Sequence, residues 1–346
     1  MSVRIMFIVF ALFFWHAPVQ AQGFAGMGSG SDGYLLPVPD KRFDFPADHG
    51  AHPGFRIEWW YLTANLRDEA GTEYGIQWTL FRSALSPQDG DGWQTPVLWM
   101  GHAAITTPDA HYVGERFARG GIGQAGVTAT PFEAWIDDWA MTGIEDGRLI
   151  AKGGDFAYDL AFTAQGPFVP QGQNGYSVKS EAGQASHYYS QPFYQLSGTL
   201  DLPTGPVEVT GEGWLDREWS SQPLTEEQTG WDWLSLHFDD GTKLMAYGLR
   251  STESSYIVGT WITPEGTPAP LENGQILLDP IATSDVEGRK VPTTWRVQLP
   301  EKALDITATA LNPQSWMGTT ISYWEGPVRV TGTHPGRGYL EMTGYD

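Results

Sequence analysis

The chain has 346 residues, 41% of them hydrophobic and 18% charged, enough to bury a core and more than one small module needs. Lys and Arg number 20 against 41 Asp and Glu, a net charge of −21 with no basic run, so nucleic acid and anionic membrane, which select clustered Lys and Arg, are poor partners. There is no cysteine, which excludes disulfides, thiol nucleophiles, thiolate-bound zinc and iron–sulfur clusters.

Residues 1–21 read as a signal peptide: Arg4 is the positive region, residues 5–15 the apolar run, and Val19-Gln20-Ala21 puts small residues at the two positions a signal peptidase inspects. The alternative is an uncleaved N-terminal anchor. No second apolar run of membrane-spanning length follows, so no transmembrane segment is expected. With no cysteine behind the apolar run, the mature end cannot be lipidated as a bacterial lipoprotein. These features place the mature chain in the periplasm or outside the cell. Residues 22–33, QGFAGMGSGSDG, form a flexible Gly/Ser-rich leader.

From Tyr34 onward the chain is a succession of short β-like runs between turn signals: 57–66, 74–83, 97–106, 156–163, 195–200, 207–214, 231–238, 243–249, 256–262, 294–299, 304–311 and 328–332. No long stretch has a helical period. The 42 Gly, 24 Pro and 16 Trp fit short strands and tight turns, and that many indole N–H groups require acceptors. Asp239-Asp240-Gly241 between two strong runs predicts a hairpin. Two segments look alike. Glu58-Trp59-Trp60-Tyr61 leads through a turn to a run ending at Arg82, and Trp231-Asp232-Trp233 leads through a turn to a run ending at Arg250. With the length, this predicts two related β-barrels, one over residues 34–222 and one over 223–346, with residues 166–175 and 263–274 as long loops.

The common catalytic signatures H-E-x-x-H, G-x-S-x-G and the P-loop are missing. Gly121-Ile122-Gly123-Gln124-Ala125-Gly126 matches a dinucleotide fingerprint in letters but lacks the strand–helix context, and reads as a loop. The eight histidines have no ligand spacing; His49 and His52 are the closest mature pair, and a metal site gathered from distant strands stays open. No metal or other cofactor is expected.

Two segments carry more. In an extended chain, residues two apart share a face. In Ser186-His187-Tyr188-Tyr189-Ser190-Gln191-Pro192, His187 and Tyr189 therefore point one way. In Gly213-Trp214-Leu215-Asp216-Arg217-Glu218-Trp219-Ser220, Trp214 and Asp216 do the same. A carboxyl flanked by aromatics is desolvated, its pKa rises, and it becomes a usable general acid beside ring faces that stabilise a cation. The bland alternative is a strand end with Asp216 paired to Arg217 or another arginine. Glu58 shares a face with Trp60 and has Arg56 as a natural partner, either as part of a site or as a structural ion pair. Trp231 and Trp233 share a face with Ser235 and His237, opposite Asp232, Leu234, Leu236 and Phe238; one of these faces should line a cavity or an interface.

These motifs carry a resemblance. Residues 52–61 (HPGFRIEWWY), 214–222 (WLDREWSSQ), 230–233 (GWDW), 323–328 (YWEGPV) and 338–345 (GYLEMTGY) are similar to the AttH/CrtC family, over a stretch from about residue 40 to the end. The resemblance implies two lipocalin-like (calycin) antiparallel β-barrel domains. The family includes carotenoid 1,2-hydratases, in which an Asp protonates a terminal alkene and water adds to the tertiary cation. Related lipocalin-like proteins catalyse pericyclic cyclisations, and exported members are labelled predicted secreted hydrolases. By this resemblance Asp216 matches the hydratase acid and His187 its histidine. Tyr189 stands where the hydratase has Trp, and Trp214 where it has Tyr.

The reading is thus an acid-catalysing enzyme, a hydro-lyase or an isomerase or cyclase, acting on an isoprenoid or other apolar lipid-like molecule. Asp216 and His187 would be its catalytic residues, with Tyr189, Trp214, Glu58, Trp60, Trp231 and Trp233 around the substrate. The alternative is a non-catalytic carrier of a hydrophobic ligand, for which aromatics supply only area. A hydrolase would need a nucleophile–base pair, and no such pair is evident.

Overall fold

The computed structural model describes residues 30–345 apart from 89, 226 and 253; the expected signal peptide and most of the expected leader lie outside the described residues. Among those described there is no α-helix, and no helix long and apolar enough to cross a membrane. The strands form two antiparallel sheets. The first holds the strands from Ile57–Arg67 to Gly205–Ser220, and the second those from Gln228–Phe238 to Gly336–Met342.

Both sheets follow one plan. Neighbours in sequence are mostly neighbours in the sheet, and the first strand pairs with the last: Ile57 opposite Ser220 in the first, Asp232 opposite Met342 in the second. A meander whose first and last strands meet must curl, and each sheet is a near-barrel open at one seam. The seam falls between His111–Arg119 and Ala125–Ala129 in the first sheet, and between Pro268–Leu271 and Leu277–Val286 in the second. Two related lipocalin-like barrels are what the sequence led us to expect. The two look-alike segments are the equivalent opening hairpins, Ile57–Arg67 with Glu73–Ala84 and Gln228–Phe238 with Lys243–Ser251. The second turns at Asp239-Asp240-Gly241, where Gly241 has φ 88°, a conformation a side chain would strain. The G-x-G-x-x-G letters run from the link after His111–Arg119 into the strand Ala125–Ala129, with Gly121 and Gly123 both at positive φ.

Alternation sorts the side chains. Trp60, Leu62, Ala64 and Leu66 face the first barrel's core with Ile76, Trp78 and Leu80; Leu234, Leu236 and Phe238 face the second with Leu244 and Trp295. The opposite faces of the same strands form a third apolar cluster, including Tyr61, Tyr188, Trp214, Trp233, Met245 and Tyr339. The barrels are therefore joined through their outer faces, with Ile57–Arg67 and Glu73–Ala84 of the first packed on Gly336–Met342 and Tyr323–Gly332 of the second. Fully burying one large apolar side chain contributes about 1.5–3 kcal/mol, so a cluster of this size is comparable with the ~5–15 kcal/mol net stability of a domain.

One irregularity places the site. The long strand Ala185–Leu202 pairs with Gly205–Ser220, and its register shifts between Gln191 and Tyr194. Pro192 lies within the shift and has no N–H to give a ladder. Beyond it, Tyr194, Leu196 and Leu200 fill the first core. Before it the phase is reversed: Tyr188 and Ser190 stand opposite Glu218 and Asp216 on the outer face, while His187 and Tyr189 stand opposite Trp219 and Arg217 on the inner face.

Candidate active site between the barrels

Asp216 lies on the outer face of Gly205–Ser220, flanked by Ile57–Arg67 and Ala185–Leu202. It is 2% exposed. Three neutral donors hold its carboxyl. Trp214 Nε1 donates to Oδ1 at 2.6 Å, Ser190 Oγ to Oδ1 at 2.5 Å, and Tyr188 Oη to Oδ2 at 2.6 Å. Tyr188 Oη in turn accepts from Trp233 Nε1 of the second barrel at 3.2 Å. Burial pushes the Asp216 carboxyl up to about 7, against the pull of the three donors and helped by the nearby Glu218 charge. It therefore titrates near neutrality rather than in the ordinary carboxylate range.

Asp216 lines a cleft between the two barrels of about 1040 Å³, its open mouth included. The walls are largely aromatic: Trp59 and Tyr61 from the first barrel, Trp231, Trp233, Tyr247 and Tyr323 from the second. An apolar cavity with a few convergent polar groups is the usual form of a small-molecule site. Near Asp216, Lys179 Nζ lies 2.9 Å from Glu218 and over the rings of Tyr188 and Tyr247, 4.5 and 4.7 Å from their centroids. At the Tyr323 side, His102 Nδ1 is 2.9 Å from Tyr323 Oη. Among the described residues no three His, Cys, Asp or Glu side chains converge as a metal set.

The structure brings together three of the eight expected site residues, Asp216, Trp231 and Trp233, on the cleft wall. A fourth, Trp214, is fully buried and holds Asp216 by its indole N–H. The alternative that paired Asp216 with Arg217 does not hold. Arg217 points to the inner face, where it binds Glu58 at 2.5 Å and covers the Trp60 ring at 3.7 Å. Glu58 is therefore partnered by Arg217 and by Arg82 at 3.2 Å, rather than by Arg56, which reaches Gly30 O at 2.6 Å. Burial alone would raise Glu58, but the Arg217 charge, a His52 hydrogen bond and the Arg82 charge hold it down at about 2. Trp60 sits in the first core and donates to His49 O at 2.9 Å.

His187 and Tyr189 also lie on the inner face, across the sheet from Asp216, so the two residues expected to be catalytic, Asp216 and His187, do not meet. The reason is the phase of the strand: His187 and Ser190 differ by an odd number of positions. His187 packs against Phe55 and Trp219, and Val38 N–H points at its Nε2 at 3.4 Å. Burial and the charges of Lys41 and His52 push its imidazole down to about 4, so it is neutral. Tyr189 Oη is 2.7 Å from His49 Nδ1.

Sequence reasoning missed Tyr188 and Ser190, though they are the other phase of the segment it singled out. It also missed Tyr61, Lys179 and Glu341, a carboxyl on the second barrel's side of the cleft wall. Choosing the phase needed the register with Asp216, which one strand alone does not carry.

The fold is found in known structures. A candidate AttH protein from Nitrosomonas europaea is 33% identical, with a TM-score of 0.81, covering 90% of this chain and 99% of that one. Kievitone hydratase from Nectria haematococca is 13% identical, with a TM-score of 0.63, covering 89% and 97%. CghA, solved with Sch210972, is 9% identical, with a TM-score of 0.57, covering 94% and 98%. At these two identities the likeness is one of fold. No curated protein matches the chain in sequence. The AttH-like family matches residues 36–345, nearly all of the described structure, and the chain belongs to that family.

Proposed function

We propose that the protein is an acid catalyst acting on an apolar alkene in the cleft between its barrels, with Asp216 as the proton donor. The observation that carries this is a carboxyl tuned to about 7 by burial and held by three neutral donors, Trp214, Ser190 and Tyr188, on an aromatic wall. Such a group gives up a proton near neutrality, and the ring faces of Trp231 and Trp233 favour the cation that results. The proton leaves Asp216 for one alkene carbon, and the positive charge develops on its neighbour. Capture by water gives a hydrated product; loss of another proton gives an isomer, and attack by a second double bond a ring. The resemblance to carotenoid 1,2-hydratases, and a hydratase among the proteins of like fold, support this class. His187 and Tyr189, on the other face of the sheet, position the strand rather than the substrate. The signal peptide read in residues 1–21 would send the mature chain to the periplasm or beyond.

The test uses mature protein, wild type and Asp216→Asn, each incubated with an apolar lipid extract of the host, then extracted for mass spectrometry. The asparagine keeps an oxygen for Trp214 and Ser190 but has no acidic proton. A species made only by the wild type supports the reading: one water heavier means hydration, equal mass isomerisation or cyclisation. The same unaltered lipid retained by both proteins would leave a carrier instead.

A further inference from the structure

We propose that Glu341 is the base of this site, taking up across the cleft the proton that the reaction releases after Asp216 has given its own. This rests on the reading of Asp216 as donor and extends it to the second half of the reaction.

Glu341 lies on the last strand, Gly336–Met342, directly opposite Trp233. Both are on the outer face of the second barrel, and Glu341 is part of the cleft wall. Trp231 Nε1 donates to Glu341 Oε1 at 2.7 Å. The two tryptophans of one strand face thus each anchor one carboxyl. Trp231 holds Glu341 directly, and Trp233 reaches Asp216 through Tyr188. Residues two apart on a strand stand about 7 Å apart, so the carboxyls are tethered at neighbouring points of one aromatic surface. Their settings differ in the way the two roles need. Asp216 is buried with three donors, whereas Glu341 is partly open to the cleft, where water can reach it. Glu325 stands opposite Glu341 in the sheet but is 1% exposed and takes the Tyr61 hydroxyl at 2.5 Å; burial raises it well above the ordinary range, so it stays protonated and is no base.

The charges that act on Glu341 are those of Asp216 and Glu218 from the first barrel, with Lys179 engaged by Glu218; Glu325 beside it is protonated and adds none. Burial, then the Asp216 and Glu218 charges, push Glu341 up to about 7, against the pull of Trp231. With burial raising both carboxyls into the neutral range, one can hold its proton while the other has released its own, so the cleft has an acid and a base at the same pH. In hydration, the π electrons take the Asp216 proton into a new C–H bond. A water lone pair closes on the cation as the water's proton passes to the Glu341 carboxylate. The sum is addition of one water; return of the proton from Glu341 to Asp216 through solvent resets the site. In isomerisation, Glu341 takes a C–H proton beside the cation, and that bond pair becomes the new double bond.

The experiment compares wild type, Asp216→Asn and Glu341→Gln in D2O with the same apolar lipid extract. Glutamine keeps the oxygen that accepts from Trp231, so a purely structural role would survive. The expected result is deuterated product from the wild type and neither product nor exchange from Asp216→Asn. For Glu341→Gln, product should drop by about 100-fold or more, with deuterium still entering recovered substrate because Asp216 protonates reversibly. Glu341→Gln turning over within about threefold of wild type, with Asp216→Asn inactive, overturns the base alone. An active Asp216→Asn, or a wild type forming no product, overturns the donor reading and the base with it. Carboxyl-13C titration gives a second readout: Asp216→Asn should lower the Glu341 midpoint, and an unmoved midpoint overturns the link between the two carboxyls.

Discussion

Tyr188 donates its hydroxyl proton to Asp216 across 2.6 Å while accepting one from Trp233 at 3.2 Å, so one phenol ties the acid of the first barrel to the aromatic wall of the second. Removing that oxygen acts on both partners. In Tyr188→Phe the Asp216 carboxylate loses one of its three donors, so its charged form is less favoured and its pKa rises above about 7. As Asp216 acts in its protonated form, the rate falls as pH rises through this pKa, and the substitution should move that limb to higher pH. The Trp233 N–H is left without its acceptor, at a cost of about 1–3 kcal/mol. The pH profile of deuterium exchange into substrate and a urea unfolding curve measure the two effects. A limb moving to lower pH would contradict the arrangement.

Faces of the sheet separate the roles of neighbours in sequence. Ser190 Oγ touches Asp216 at 2.5 Å and accepts from Gln171 Nε2 at 2.8 Å; His187, three residues away, faces the opposite side. Ser190→Ala should lower turnover by roughly tenfold or more, since it removes a hydrogen bond to the charged group in the step, worth about 1.5–3 kcal/mol. His187→Gln should leave turnover within about threefold. Paired kcat/KM measurements on the two variants decide it, and the reverse ranking would restore His187 to the chemistry.

Much of this was legible from residue types. The alternating apolar runs, Asp-Gly turns and paired tryptophan hairpins pointed to two β-barrels, and the acid flanked by aromatics pointed to Asp216. The strands 111–119, 125–152 and 277–286 were harder to read. They are short or polar, and their pairing is fixed by neighbouring strands rather than by their own pattern. That His187 and Tyr189 face away from Asp216 could not be read from their own strand, because the shift beyond Gln191 resets which positions face inward, and only pairing with Gly205–Ser220 reveals it. Glu58 looked like a site acid for the same reason Asp216 did. Its partner Arg217 comes from a strand 159 positions away, a contact that spacing along the chain does not encode.

That distant ion pair supports the end of the first barrel. Glu58 and Arg217 are both fully buried, and Arg217 also reaches Gly50 O at 2.5 Å and Glu218 O at 3.2 Å. Glu58→Gln leaves a buried guanidinium without its counter-charge, a change that typically costs about 3–5 kcal/mol. The backbone carbonyls that remain put the expected loss at the lower end. Urea unfolding should show it, while the midpoint of Asp216 on the far face stays where it is in the wild type. A shift of that midpoint with no loss of stability would mean that Glu58 acts on the cleft rather than on the fold.

The same groups set how stability depends on pH, with opposite signs. Asp216 and Glu341 are raised in the folded state, from 3.8 and 4.5 to about 7 each. Between about pH 4 and 7 the unfolded chain has released these protons and the folded chain keeps them, so raising pH through this window lowers stability. Glu58 is depressed to about 2 from 4.5, so its contribution is present above about 4.5 and is lost as pH falls towards 2. These three groups together favour a stability maximum near pH 4–5. Asp216→Asn removes the buried charge that forms at high pH. Its urea midpoint should match the wild type near pH 4 and exceed it at pH 8, the usual relation between a strained catalytic group and the fold that contains it. A variant less stable than the wild type at pH 8 would show that the Trp214, Ser190 and Tyr188 hydrogen bonds to the carboxylate outweigh its desolvation, and would place the Asp216 pKa well below neutrality.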